Sequence, residues 1–82
     1  MKTHHIIKIL PIYYEYVREG RKTFELRIND RNYRSADLVT LKEFDHGIFS
    51  GRQQTFEIGY VLKLDDFGLD GYVVFSLLEV LE

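Results

Sequence analysis

Five separate stretches of this chain read as strands, three of them by side chains that alternate with a period of two, and one stretch between the first two breaks the pattern. This feature restricts the fold most. A two-residue period belongs to strands, whose side chains point alternately to opposite faces. The stretches are residues 4–10, 23–28, 38–44, 54–64 and 72–81. Turn chemistry separates them: Asn29, Asp30 and Asn32 after the second, a hairpin at 45–51 holding Gly47 and Gly51 after the third, and an acidic loop at 65–71 before the last. Five strands and one helix in 82 residues fit a small, mostly antiparallel β-barrel better than an open sheet.

Within that frame the pattern assigns faces. Pro11 suits the first position of a helix, and Ile12, Tyr13, Tyr16 and Val17 share one side of it, opposite Glu15, Arg18 and Glu19. Gly20 takes positive φ at little cost and ends the helix. In residues 4–10 both alternating sets hold apolar side chains, so this strand is expected to be covered on both sides. Phe24, Leu26 and Ile28 mark the buried face of the second strand, leaving Thr23, Glu25 and Arg27 opposite. Phe56, Ile58, Tyr60, Leu62 and Leu64 face one way in the fourth, with Gly59 marking a bulge or tight bend.

A chain with 45% hydrophobic and 29% charged residues has the composition of a folded domain, here one domain over residues 1–82. It has no cysteine, which excludes disulfides and thiolate zinc sites and leaves packing to hold the fold. No apolar run approaches the roughly 20 residues of a membrane span, and Met1 to His5 do not open a signal peptide, so a soluble, cytoplasmic protein is expected. A net charge of −2 argues against general adhesion to nucleic acid. The charges are uneven, however. Residues 1–34 carry eight Lys or Arg against four acids, and residues 35–82 carry three against nine, so a local basic patch is compatible with an acidic whole.

The densest functional chemistry lies where helix meets second strand, at Gly20-Arg21-Lys22-Thr23-Phe24-Glu25-Leu26-Arg27. Glu25 and Arg27 leave the strand roughly 7 Å apart on one side. Cation, anion and cation beside a helix end suit a phosphate-bearing ligand. The same residues on an open strand face would otherwise be solvated ion pairs worth about 0–1 kcal/mol. Glu43 shares parity with Val39 and Leu41 and so points inward, where it either pairs with Lys22 in a cleft or sits wet at the strand end. Ile48 and Phe49 at the hairpin tip either fold back onto the barrel or stay exposed beside Arg52 to stack on a base or meet another protein. His4 and His5 point to opposite strand faces and cannot easily share a metal, and the spacing of Asp65, Asp66 and Asp70 does not suit calcium. No metal and no cofactor is implied.

The spacing Gly-x-Lys-x-x-Glu-x-Arg, filled by Gly20, Lys22, Glu25 and Arg27, resembles the signature of the ASCH domain, the activating-signal-cointegrator homology domain of the PUA-like superfamily. The likeness runs from the strand at His5 to the strand ending near Leu81 and is closest to the very small bacterial and phage members. It implies a PUA-like barrel with one helix between the first two strands. It also implies an RNA- or nucleotide-binding module whose signature residues line a cleft between helix and barrel. The residues expected to meet the ligand are Gly20, Lys22, Glu25, Arg27, Arg31, Glu43 and Arg52. A few compact bacterial relatives of this kind are amidohydrolases acting on N4-acetylcytidine, using a lysine, a threonine three residues on and a downstream glutamate. Here Lys22 matches the lysine, Glu25 stands in the threonine's place, and the segment carrying the downstream glutamate is missing. Hydrolysis is therefore the alternative reading, beside a protein-interaction accessory domain using Ile48 and Phe49.

Overall fold

Strand β1 (His4–Ile9) passes through Leu10 into helix α1 (Pro11–Arg18), followed by β2 (Phe24–Ile28), β3 (Leu38–Asp45), β4 (Ile48–Lys63), a 3₁₀ turn at Asp65–Phe67 and β5 (Tyr72–Glu79). The computed structural model describes residues 2–81. All five strands form one sheet in the order β1-β3-β4-β5-β2. The sheet curls into a half-barrel, and the fold is mostly β with one helix between the first two strands, as the alternation predicts. Two features refine the expected mostly antiparallel barrel. β1 runs parallel to β3, and the sheet stays open between its edge strands β1 and β2.

The core fills the concave side of the curl. Val39 and Leu41 of β3, Ile58 of β4, and Val73 and Phe75 of β5 are fully buried, with Ile7, Ile9, Tyr14 and Val17 packed against them. β3 and β4 meet in a two-residue turn, His46–Gly47, with φ of +49° and +79°. Positive φ at both central positions is the type I′ geometry that matches strand twist. The hairpin is thus tighter than the seven residues expected, and β4 starts at Ile48 and absorbs Gly51.

Four face assignments change. In β2, Glu25 is buried at 4% exposure while Phe24, Leu26 and Ile28 are 47%, 49% and 56% exposed, the reverse of expectation. Their side chains join Val74 of β5 and Leu62 of β4 on the convex face, through the pairings Leu26–Val74 and Val74–Leu62. In α1 the buried residues are Tyr14 and Val17, three apart, while Ile12 and Tyr13 are exposed and Tyr16 lies at the boundary of exposure. β1 is covered on one side only: His5, Ile7 and Ile9 are buried and Ile6, Lys8 and Leu10 are not. In β4 the pairing steps from Ile58–Leu77 to Val61–Phe75, one extra residue on β4. That bulge inverts the parity, so Val61 packs on the core and Tyr60 and Leu62 turn outward.

Gly59 sits in the bulge because a Cβ there would run into the Ser76 hydroxyl and lie 3.1 Å from Leu78 Cδ1. The Ser76 hydroxyl is held in place by the Tyr60 N–H, which donates to it at 2.8 Å. Gly59→Ala is therefore expected to destabilise by about 1–3 kcal/mol, read as a melting temperature lower by at least about 4 °C. Gly59→Ala combined with Ser76→Ala is expected to recover part of the loss.

Candidate ligand-binding cleft

α1 ends in a Schellman motif. Gly20 has φ +78°, its N–H donates to Val17 O at 3.0 Å, and the Arg21 N–H donates to Tyr16 O at 2.9 Å. The Lys22 N–H also reaches Tyr16 O, at 3.0 Å. This stop sets the start of β2 and places Lys22 three residues before Glu25. Lys22 Nζ donates to Glu25 Oε1 at 2.6 Å and to Phe24 O at 2.7 Å. Arg27 Nε donates to Glu25 Oε2 at 2.9 Å. Each oxygen of a buried carboxylate thus meets its own cation, which is what lets Glu25 face inward on a strand whose apolar residues face out.

Arg27 does a second thing. Its Nη2 donates to Lys8 O at 2.7 Å, and Arg31 Nη1 donates to Ile6 O at 3.0 Å. Two arginines rooted in β2 and the loop after it therefore span the seam to the free edge of β1. Among the described residues no backbone hydrogen bond joins β1 to β2. The seam opens into two hollows. One, of about 600 Å³, is lined by residues including Lys8, Arg31, Tyr33, Lys42 and Phe49. The other, of about 560 Å³, is lined by residues including Tyr13, Lys22, Phe24 and Glu25. They share Lys8, Leu26 and Arg27. Burial pushes the Tyr33 phenol above its ordinary value, against the pull of Arg27 and Arg31. Tyr33 itself is stacked in the core between His5 and Phe75, at 4.7 and 4.8 Å between ring centres. His5 in turn is anchored on Asp37 at 2.8 Å. Burial raises the Asp37 carboxyl, but the Thr3 N–H, His5 and the Arg34 N–H outweigh it and hold the group low.

A model of the family described as "Domain of unknown function (DUF3850)" matches residues 4–77. The chain belongs to this family. It is also 39% identical over 70 residues to a protein of Escherichia phage P2 named "Uncharacterized 12.9 kDa protein in GpA 3'region". The match covers 85% of this chain and 63% of that relative's length. Among the described residues no helix is long and apolar enough to cross a membrane.

In this DUF3850 domain the residues singled out by sequence fall into two groups. Lys22, Glu25, Arg27 and Arg31 come together on the seam, and Gly20 stands behind them as the helix stop. Glu43 and Arg52 do not join them, and Lys22 pairs with Glu25 rather than Glu43. Arg52 Nε and Nη2 donate to the two Glu43 oxygens at 3.0 and 2.7 Å, Nη1 reaches Glu15 at 2.8 Å, and the guanidinium covers the Tyr14 ring at 4.8 Å. This network fastens α1 to the β3–β4 ribbon. Glu43 is buried, not wet. Phe49 folds back against Phe44, with 4.7 Å between ring centres. Three cleft residues escaped the sequence reading: Lys8, Lys42 and Tyr33. Nothing local marks them, because they line the seam only once the sheet order brings β1, β3 and the Arg31 loop together.

The Arg52 fork, helped by Ser50, holds the Glu43 carboxyl down to about 2 against an ordinary 4.5. A carboxyl lowered on folding stabilises fully above its unfolded value and loses that contribution as pH falls through its folded value. The Glu43–Arg52 contribution is therefore intact above about pH 4.5 and lost towards pH 2. Thermal melts of wild type and Arg52→Ala across this window are expected to differ most at neutral pH and to converge at the acid end. A constant difference would assign the Arg52 effect to packing on Tyr14 instead.

Proposed function

We propose that the seam between β1 and β2 binds nucleic acid, with RNA or a nucleotide as the ligand. The observation that carries this is the charge of the seam: Lys8, Lys22, Arg27, Arg31 and Lys42 line it against Glu25 and Asp30, in a chain whose net charge is −2. Glu25 is already neutralised by two of these cations, so the outward field is positive. Arg31 and Arg27 offer guanidinium forks that match phosphate oxygens. Phe49, Tyr72 and Tyr13 supply flat apolar faces beside them. The likeness of Gly20, Lys22, Glu25 and Arg27 to the ASCH signature supports the same reading. Titration of pooled small RNAs at low salt tests it, and affinity is expected to fall steeply as salt rises. No binding at low salt would remove this function.

Turnover of N4-acetylcytidine is not expected. A general base must meet its water, and Glu25 is 4% exposed with each oxygen already accepting from Lys22 or Arg27. Following the ultraviolet absorbance of the nucleoside with purified protein checks this. Turnover abolished by Lys22→Ala would reverse the assignment.

A further inference from the structure

We infer that the ligand of this cleft is a run of several nucleotides of single-stranded RNA rather than a mononucleotide, with Phe49 and Lys42 on the β3–β4 hairpin forming an outlying subsite. The inference rests on the nucleic-acid reading above and deepens it.

Aromatic rings carrying a cation recur along the seam. At the helix end Arg21 covers Tyr16 at 5.0 Å. Next, Lys22 Nζ lies 5.1 Å from the Phe24 ring centre and 5.9 Å from that of Tyr13. At the far end Lys8 Nζ sits 4.3 Å from the Phe44 ring centre and Lys42 Nζ 4.6 Å from that of Phe49. These places are contiguous. Tyr13, Lys22 and Phe24 line both the helix-end hollow and the Glu25 hollow, and Lys8, Leu26 and Arg27 line both the Glu25 hollow and the one that reaches Phe49. A π-face with a cation beside it, repeated along a groove, matches a base with a phosphate beside it, repeated along a strand. Each of the two larger hollows, at about 600 and 560 Å³, is already of the size that takes one small ligand, commonly about 300–1,000 Å³. One nucleotide fills one hollow and leaves the others empty.

The strand must be single. Stacking on these rings needs bases out of the duplex, and in an RNA helix the bases are stacked on each other. Phe49 can serve because the residue remains 46% exposed although one side of its ring packs on Phe44. Lys42 and Lys8 swing on flexible stems, so they can leave the rings for phosphates as bases arrive.

The test compares uridine monophosphate with octauridylate at low salt, by NMR titration and fluorescence anisotropy respectively. The octamer is expected to bind at least about tenfold more tightly than the mononucleotide. Phe49→Leu keeps an apolar side chain on Phe44 but removes the π-face. It is expected to weaken the octamer about tenfold, and the mononucleotide, which can also settle in the hollow around Glu25, by a clearly smaller factor. Phe49→Tyr should keep wild-type affinity for both. Equal affinity of wild type for the two ligands, or octamer binding indifferent to both Phe49→Leu and Lys42→Gln, overturns the extended site while leaving the central cleft standing. Failure of both ligands to bind removes the nucleic-acid reading and this inference with it.

Discussion

Glu25→Ala is expected to destabilise the fold by about 2–3 kcal/mol, a drop in melting temperature of about 10–20 °C for a domain of this size. Glu25 is 4% exposed, and its carboxylate is the shared partner of Lys22 and Arg27. Removing one member of a buried ionic set strands the others, which is why such losses reach about 3–5 kcal/mol when all members are fully buried. The Lys22 and Arg27 side chains retain 18% and 27% exposure, so each can turn partly to water and soften the loss. Against a total stability of about 4–12 kcal/mol for a chain of this length, the remainder is thin. Two further variants separate an ionic cause from a simple cavity. Glu25→Leu with Lys22→Met replaces most of the charged set by apolar volume and should recover part of the loss. Leu26→Thr, on the next residue and the opposite face, should shift the melt by less than about 4 °C, as expected of an exposed position. If Leu26→Thr proved the more damaging change, the inner and outer faces of β2 would have to be exchanged.

That reversal of faces explains how much the sequence could reveal. Period-two alternation in residues 24–28 correctly marks a strand, but alternation carries no sign. Phe24, Leu26 and Ile28 look like the core face only if Glu25 and Arg27 lack partners, and their partners are a lysine behind a helix stop and a carbonyl on a strand distant in sequence. The same blindness appears in β4. Gly59 announces a bulge, yet only the pairing with β5 tells where the extra residue falls and hence that Tyr60 and Leu62 turn outward. In α1 the apolar residues are too many for one face, and Arg52 decides which are covered by lying over Tyr14 and binding Glu15. Elements whose signal is local were legible: the Pro11 start, the Gly20 stop, the presence of a hairpin after β3 and the existence of five strands. The sheet order was not, because a parallel β1–β3 pair with β2 at the far edge depends on contacts between distant segments. The seam is a product of that order. Lys22, Glu25 and Arg27 could be read as a site because they are close in sequence, whereas Lys8 and Lys42 could not.

Arg27→Ala with Arg31→Ala is expected to weaken single-stranded RNA binding about 100-fold, about tenfold for each lost charge-assisted contact. These two guanidiniums are the only side chains among the described residues that donate to the carbonyls of the free edge of β1, at Lys8 O and Ile6 O. A neutral carbonyl is a weaker partner than a phosphate oxygen, so an arriving strand can draw Arg31 from Ile6 O without leaving a buried charge behind, and can take Arg27 Nη2 from Lys8 O while its Nε stays on Glu25. The salt dependence separates this from a general loss of positive charge. On single-stranded nucleic acid each neutralised phosphate contributes about 0.7 to the slope of log affinity against log salt, so the double variant should lower the slope by about 1.4. Arg18→Ala removes one positive charge from the exposed side of α1, where Arg18 is bonded to Glu15, and should leave the slope unchanged. Because Arg27 also steadies Glu25, the double variant should melt lower than wild type, and binding is therefore compared well below both melting transitions. Arg31 has no such second duty in the seam, so Arg31→Ala alone should cost about half the slope change with little loss of stability. An unchanged slope in both variants would move the phosphate contacts away from the seam and leave its arginines with the single task of holding the half-barrel's edges together.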